Sequence, residues 1–474
     1  MRCRLLFVCL LVCLLVLLVE SKGRNRRNSR SLAVREQKSG NHGAARGNRA
    51  RVRGNRLKAR PGRSLAKNKS KSRRRKLNAA KKKRNAKRSK AAKASNYKAK
   101  KTSSGSSGAK FIRVPLDFKS NFVRTTDNLR GERAFLSGKY GISFATTSGT
   151  ATLTNVKNME YTCKMTIGTP AQKFTMLPDT GSSNIWVPGR NCKSKACQNH
   201  KRFKPAKSST FVKNGQAFSI TYGSGSVSGR LGQDTVRVAG LAVANQTFAM
   251  TTKEPGSTFN SADFDGILGL GYQAISENNV RTIWQNMCSQ DVISSCVFAV
   301  CMKGGGSSTR GGELIFGSTD TSTYTGSNSY TYTPVTVQGY WQFKLQSVSV
   351  GSDETSGESQ AICDTGTSLI AAPKKAFTAF NKKIGCRTTT SGECWMKCSK
   401  KIPDITFKIG GTKFTIAGNK LKLKVKTTKG NTVCISAVTY METSFWILGD
   451  AFIRHFCVVF DASKNRIGFA TTTS

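Results

Sequence analysis

The chain has 474 residues, with 78 Lys and Arg against 24 Asp and Glu, a net charge of +54 and 38% hydrophobic residues. At roughly 150 residues per domain, that length holds a leader, a tail and about two or three domain-sized units. The charge is uneven: residues 21–110 carry 34 basic residues and one acid, Glu36, whereas the rest from Phe111 onward carries 42 and 22. Most of the excess therefore sits in a tail, which excludes a uniformly basic globule and argues against nucleic-acid binding by the chain as a whole.

Residues 1–21 begin with two cations, Arg2 and Arg4, ahead of a 15-residue apolar run over 5–19 and small polar residues near Ser21. This is the pattern of a secretory signal peptide. The run is shorter than the roughly 20 residues a membrane span needs, so a secreted or extracellular protein, or one in an acidic vesicle or digestive compartment, is expected. Of 15 cysteines, Cys3, Cys9 and Cys13 leave with the signal, and twelve remain, an even number on an oxidising route. Cys192 and Cys197 are close enough to close a tight loop. Cys288 with Cys296, and the group Cys386, Cys394, Cys398 and Cys434, are candidates for further bridges whose pairing spacing does not fix. The three histidines, His42, His200 and His455, lie far apart, which argues against zinc; no metal and no cofactor are expected.

Residues 22–110 contain one aromatic, Tyr97, and too few apolar side chains to offset ordering entropy, so disorder is expected. Behind a signal peptide, the basic runs at 73–76 and 81–84 suit trimming by processing proteases or attachment to polyanions such as acidic glycans. Residues 101–108, rich in Gly and Ser, read as a joint. The pattern changes at Phe111. Residues 111–120 alternate as a strand does, and a mixed stretch runs on to Ile142, giving a separate unit over 111–150. Beyond Ala151 the pattern is mostly strand: Tyr161, Cys163, Met165 and Ile167 alternate with polar residues, as do Leu421, Leu423 and Val425 with lysines. Helical spacing is confined to Val280, Ile283, Trp284 and Met287, and to Phe377, Phe380 and Ile384. The body is expected to be mostly β with short helices.

An internal repeat is the most informative feature. Asp179-Thr180-Gly181-Ser182 recurs as Asp364-Thr365-Gly366-Thr367, and each copy is followed more than 80 residues later by Ile-Leu-Gly, at Ile267 and Ile447. A lone Asp-Thr-Gly is ordinary turn chemistry; two copies with the same downstream partner at nearly the same spacing are not. Two carboxylates brought together cannot both ionise cheaply and so share a proton. One then acts as base on a water and the other as acid toward a carbonyl oxygen, so a peptide bond is hydrolysed without nucleophilic Ser or Cys and without metal. Gly181 and Gly366 permit the turn, Thr180 and Thr365 suit a hydrogen bond across the junction, and the Ser182 and Thr367 hydroxyls suit the outer carboxylate oxygens.

From about Ala151 to the C-terminus the sequence resembles the pepsin-like aspartic endopeptidases, the pepsin and cathepsin D family. The resemblance rests on Ile167-Gly-Thr-Pro-Ala-Gln172, the segments around both aspartates, Tyr222-Gly223-Ser-Gly-Ser226, Phe264-Asp-Gly-Ile-Leu-Gly-Leu-Gly271 and Trp446-Ile-Leu-Gly-Asp-Ala-Phe-Ile-Arg454. It implies a mostly β, bilobal fold, with lobes at 151–335 and 336–474, one catalytic aspartate from each and a peptide cleft between them. It also implies a flap hairpin carrying Tyr222 and Gly223, with Trp186 as the tyrosine's partner, and a monomer is expected. Residues 111–150 resemble the family's inhibitory prosegment, with Lys139-Tyr140 the positional match for the lysine that reaches both aspartates. Acid release then follows if carboxylates of the body pair with Arg113, Arg124, Arg130, Arg133 and Lys139.

Three departures stand out. Pro178 precedes the first aspartate, where a proline threatens a ladder N–H. Cys363 precedes the second and, with Cys457, reads either as a pair or as two buried thiols. The body after residue 150 carries 36 basic and 19 acidic residues. An alternative reading is therefore a catalytically weak member that binds polyanions or an acidic matrix. Asn245-Gln-Thr247 and Asn68-Lys-Ser70 are glycosylation triplets.

Overall fold

The computed structural model describes residues 110–118, 124–140, 161–222, 225–254, 259–260, 262–303, 310–389 and 393–473. The signal, the basic tail, the Asn68 triplet and Gly223 lie outside the described residues. The body is mostly strand with short helices, arranged as the two-lobed β fold. Alternation accounts for the strands. Tyr161–Ile167 buries Tyr161, Cys163, Met165 and Ile167 around an exposed Lys164, and Lys422–Lys426 buries Leu423 and Val425 while Lys424 and Lys426 face solvent.

Both aspartates are placed by the same construction. Gln172–Asp179 runs parallel to Gly266–Gly269, and the chain returns as Ile185–Pro188 antiparallel to that same strand. In the second half, Ser359–Cys363 runs parallel to Phe445–Leu448, and Ile370–Pro373 returns antiparallel to it. Each Ile-Leu-Gly element is thus the strand threaded between the two arms of an Asp-Thr-Gly turn. Its glycine is required by closeness, because a Cβ at Gly269 would strike the Ser183 and Asn184 backbone and one at Gly449 the Thr367 and Leu369 carbonyls. The long-range pairing of motifs in the sequence is this contact.

A shared sheet joins the halves. Ile112–Phe118 pairs with Arg310–Phe316, which pairs with Val297–Met302, which in turn pairs with Phe456–Asp461 of the second half. Across that last junction Cys301 is disulfide-bonded to Cys457. The alternative of a Cys363–Cys457 pair is therefore corrected: Cys363 is a buried free thiol, as is Cys163. Spacing could not show this, because the bonded residues are 156 positions apart. The other bridges are Cys192–Cys197, Cys288–Cys296, Cys386–Cys394 and Cys398–Cys434.

The segment before the body adds the helix Thr126–Lys139, which apolar periodicity does not reveal. Its buried positions Leu129, Glu132, Arg133 and Leu136 follow helical spacing, but two of the four are charged. Those charges are paired. Arg124 holds Glu132 at 2.8 Å, and Arg133 reaches Glu393 of the second half at 3.4 Å. Further along, Phe135 packs against the first-half cluster of Leu177, Trp186 and Phe259, and Leu136 against Ile362, Ala371 and Ile447 of the second half. The helix therefore lies against both halves, and burying Leu136 alone stabilises that docking by about 1.5–3 kcal/mol.

Candidate active site

The two turns face each other. Asp179 and Asp364 are fully buried, each at the end of its strand. Thr180 Oγ1 donates to the Cys363 carbonyl at 2.8 Å and accepts from the Thr365 N–H at 3.0 Å. Reciprocally, Thr365 Oγ1 donates to the Pro178 carbonyl at 2.9 Å and accepts from the Thr180 N–H at 3.1 Å. Four bonds across the junction fix one carboxyl relative to the other, and each hydroxyl is fully used, as a buried hydroxyl must be.

Within each turn the carboxyl is held in the same way. Asp179 Oδ1 accepts from the Gly181 N–H at 2.9 Å and Oδ2 from Ser182 Oγ at 2.6 Å. Asp364 Oδ1 accepts from the Gly366 N–H at 2.9 Å, and its Oδ2 from Thr367 Oγ1. The glycines are demanded by the opposite carboxyl: a Cβ at Gly181 would lie 2.6 Å from Asp364 Oδ1, and one at Gly366 would collide with Asp179 Oδ1.

Lys139 occupies the space between the carboxyls. Its Nζ lies 2.6 Å from Asp179 Oδ1, 2.9 Å from Asp364 Oδ1 and 2.8 Å from Asp364 Oδ2, and the Tyr140 hydroxyl donates to Asp364 Oδ2 at 2.6 Å. The Tyr140 ring packs on Tyr340 and Phe445, two contacts with no signal in the sequence. The two carboxyls titrate apart. Burial pushes Asp179 up to about 6 despite the nearby ammonium. Burial acts on Asp364 too, but the Lys139 charge and hydrogen bonds to its carboxylate outweigh it and hold Asp364 down to about 2. Burial would lower Lys139, but the two carboxylates overcome it and raise it.

Other residues singled out in the sequence fall as follows. Trp186 is buried beside Phe259, its ring edge on at 5.2 Å. Tyr222 ends the strand Val212–Tyr222, with its side chain outside the described residues, as Gly223 is. Arg113 pairs with Glu313 at 3.0 Å and Asp320 at 2.7 Å of the body. Arg124 corrects the expectation, since its partner Glu132 belongs to the same 111–150 segment. The side chain of Arg130 lies outside the described residues.

Pro178 costs the strand no ladder bond. The Thr175 and Asp179 carbonyls accept from Asp265 and Leu270, so odd-numbered positions face the parallel neighbour. Residue 178 faces the other way, where pairing with Tyr161–Ile167 has ended at Met176 and its carbonyl takes the Thr365 hydroxyl.

Comparison with known proteins agrees with this geometry. The family described as eukaryotic aspartyl protease matches residues 160–472. The chain is 40% identical to pepsin A of Bos taurus over 76% of its length and 98% of that protein's. It is 39% identical to cathepsin E of Aquarana catesbeiana, over 76% and 93%, and 40% identical to cathepsin D of Canis lupus familiaris, over 77% and 95%. The chain belongs to the eukaryotic aspartyl proteases and is an aspartic-type endopeptidase acting on peptide substrates.

Proposed function

We propose that the protein is made as a self-inhibited zymogen, and that Asp179 and Asp364 hydrolyse peptide bonds at acidic pH once residues 111–150 leave the cleft. The observation that carries this is the Lys139 ammonium seated between both carboxyls, where an attacking water would have to stand. With the lysine gone, the pair shares one proton. The ionised carboxyl takes a proton from water while the other gives one to the substrate carbonyl oxygen, and the Ser182 and Thr367 hydroxyls keep the outer oxygens from turning. Residues 151–335 and 336–474 act as the lobes, and the hairpin bearing Tyr222 and Gly223 as the flap. In this reading the signal directs the chain into the secretory pathway, residues 22–110 are an extension, and the enzyme works as a monomer.

Acid supplies the trigger. A carboxyl whose value is depressed in the docked state adds stability above its ordinary value near 4, and that stability is lost as pH falls through the depressed value. Asp364 and Asp320 are both of this kind, the second held down chiefly by Ser322 with Arg113 contributing. Asp179 works in the opposite sense: its value is raised to about 6, so taking up its proton favours the docked state, and release in acid rests on the depressed carboxyls. The reading of a catalytically weak polyanion binder drew on Pro178, and the strand keeps its ladder around that proline.

Full-length protein shifted from neutral pH to about pH 3.5 should cleave itself and then digest denatured haemoglobin in a pepstatin-sensitive way. No cleavage and no new activity would overturn the zymogen reading. Activity that survives Asp179→Asn or Asp364→Asn would overturn the mechanism.

A further inference from the structure

The second half carries a concentration of charge that neither the cleft nor its activation uses. Residues 374–429 hold 14 lysines and Arg387 against two acids, Glu393 and Asp404, and Glu393 is already buried against Arg133. Thirteen of the fifteen cations are exposed. Among the described residues, ion pairs engage Lys374, with Glu442, and Lys383, with Asp353.

Hydrogen bonds and a disulfide join much of this charge into one surface. Lys422 and Lys424 project from the same face of Lys422–Lys426, and the Lys422 ammonium donates to the Cys398 and Lys400 carbonyls, both at 2.9 Å. Cys398 is bonded to Cys434, the cross-strand neighbour of Lys424. The loop bearing Lys397 and Lys401 therefore lies over the lysine face of the strand. Lys400 in turn donates to the Gly385 carbonyl at 2.6 Å, which brings the end of the helix Lys374–Ile384, with Lys382, against the same loop. Lys382 is favoured by its place in the last helical turn. Lys397, Lys401, Lys424 and Lys426 are exposed, and among the described residues no ion pair offsets the repulsion among them.

We propose that this face, formed by Lys382, Lys397, Lys401, Lys424 and Lys426, binds a linear sulfated polysaccharide. The site is on the folded second lobe, distinct from the basic tail, and does not depend on the zymogen reading. Three features select the partner. Phe377, Phe380, Phe407 and Phe414 are buried, and the half-buried Trp395 pairs through Ile435 with Leu423, on the side away from Lys424, so among the described residues the lysine face lacks the stacking platforms of a single-strand nucleic-acid binder and the wedge of a membrane binder. Five disulfides belong to an oxidising compartment, away from the anionic lipids of the cytoplasmic leaflet. At the acidic working pH proposed above, on which this last choice rests, lysines and sulfate esters keep their charge, whereas the carboxyls of acidic peptides are neutralised from about pH 4 downward.

The test is residue-resolved, so that the tail cannot mask the result. Full-length protein is acylated at lysine with and without heparin, and modified sites are read by mass spectrometry. Lys382, Lys397, Lys401, Lys424 and Lys426 should be protected several-fold, while Lys193, Lys195 and Lys204 of the first half stay reactive. The full-length triple variant Lys397→Gln, Lys424→Gln, Lys426→Gln should lower the salt slope of heparin binding by about two to three and leave peptide hydrolysis unchanged. Protection confined to residues 21–110, uniform protection, or equal protection by single-stranded DNA or anionic vesicles would overturn the proposal.

Discussion

The two Asp-Thr-Gly turns share a backbone plan and differ in what leans on them. Each carboxyl takes a glycine N–H inside and a hydroxyl outside, yet one is pushed up to about 6 and the other held down to about 2. Lys139 touches Asp179 through one oxygen and Asp364 through two, and Tyr140 donates to Asp364 alone. The symmetry belongs to the fold, and much of the asymmetry belongs to the occupant. On the reading proposed above, the pair becomes catalytic when the occupant leaves, because only then can it share a proton symmetrically.

The largest effect should come from breaking the pair itself. Asp179→Asn and Asp364→Asn should each lower kcat of the acid-activated enzyme by about 10³-fold or more, and the double variant should be little worse than either single, because the two act as a unit. Steady-state hydrolysis of a quenched peptide measures this; a strongly asymmetric loss would break the equivalence of the halves. Next in size is the covalent link between them. Replacing Cys301 and Cys457 together by Ala opens a loop of 156 residues and should cost about 2–4 kcal/mol in reversible urea unfolding. Tyr140→Phe removes one donor from Asp364 only, so Asp364 accepts a proton more readily and the docked segment weakens at a higher pH. The midpoint of acid activation should rise by about half to one pH unit. Pro178→Leu should be the smallest: kcat/KM unchanged, and stability altered by less than about 1.5 kcal/mol in the same urea titration.

The sequence displayed the two turns because the same chemistry is needed twice, and the Ile-Leu-Gly elements because each must thread its turn with a glycine at the crossing. Strands with one wet face were equally legible. The helix Thr126–Lys139 was not, because its buried stripe includes Glu132 and Arg133, whose partners are side chains elsewhere in the chain. Nor was the Cys301–Cys457 bond, which depends on a pairing between strands from different halves. Arg124 taught a related lesson: a cation in a basic segment need not face the body, and this one satisfies an acid 8 residues on, within the helix that follows it. What sequence patterns miss here are contacts whose two members are chemically ordinary and become partners only in three dimensions.

On the proposed reading Lys139, held between the two carboxyls, keeps the chain inactive. Full-length Lys139→Met, never exposed to stronger acid, is assayed beside the wild type on a quenched peptide at about pH 5.5. The variant should hydrolyse the peptide at once and the wild type only after acid treatment. Equal silence of the folded variant, with an unchanged acid-activation midpoint, would contradict the claim.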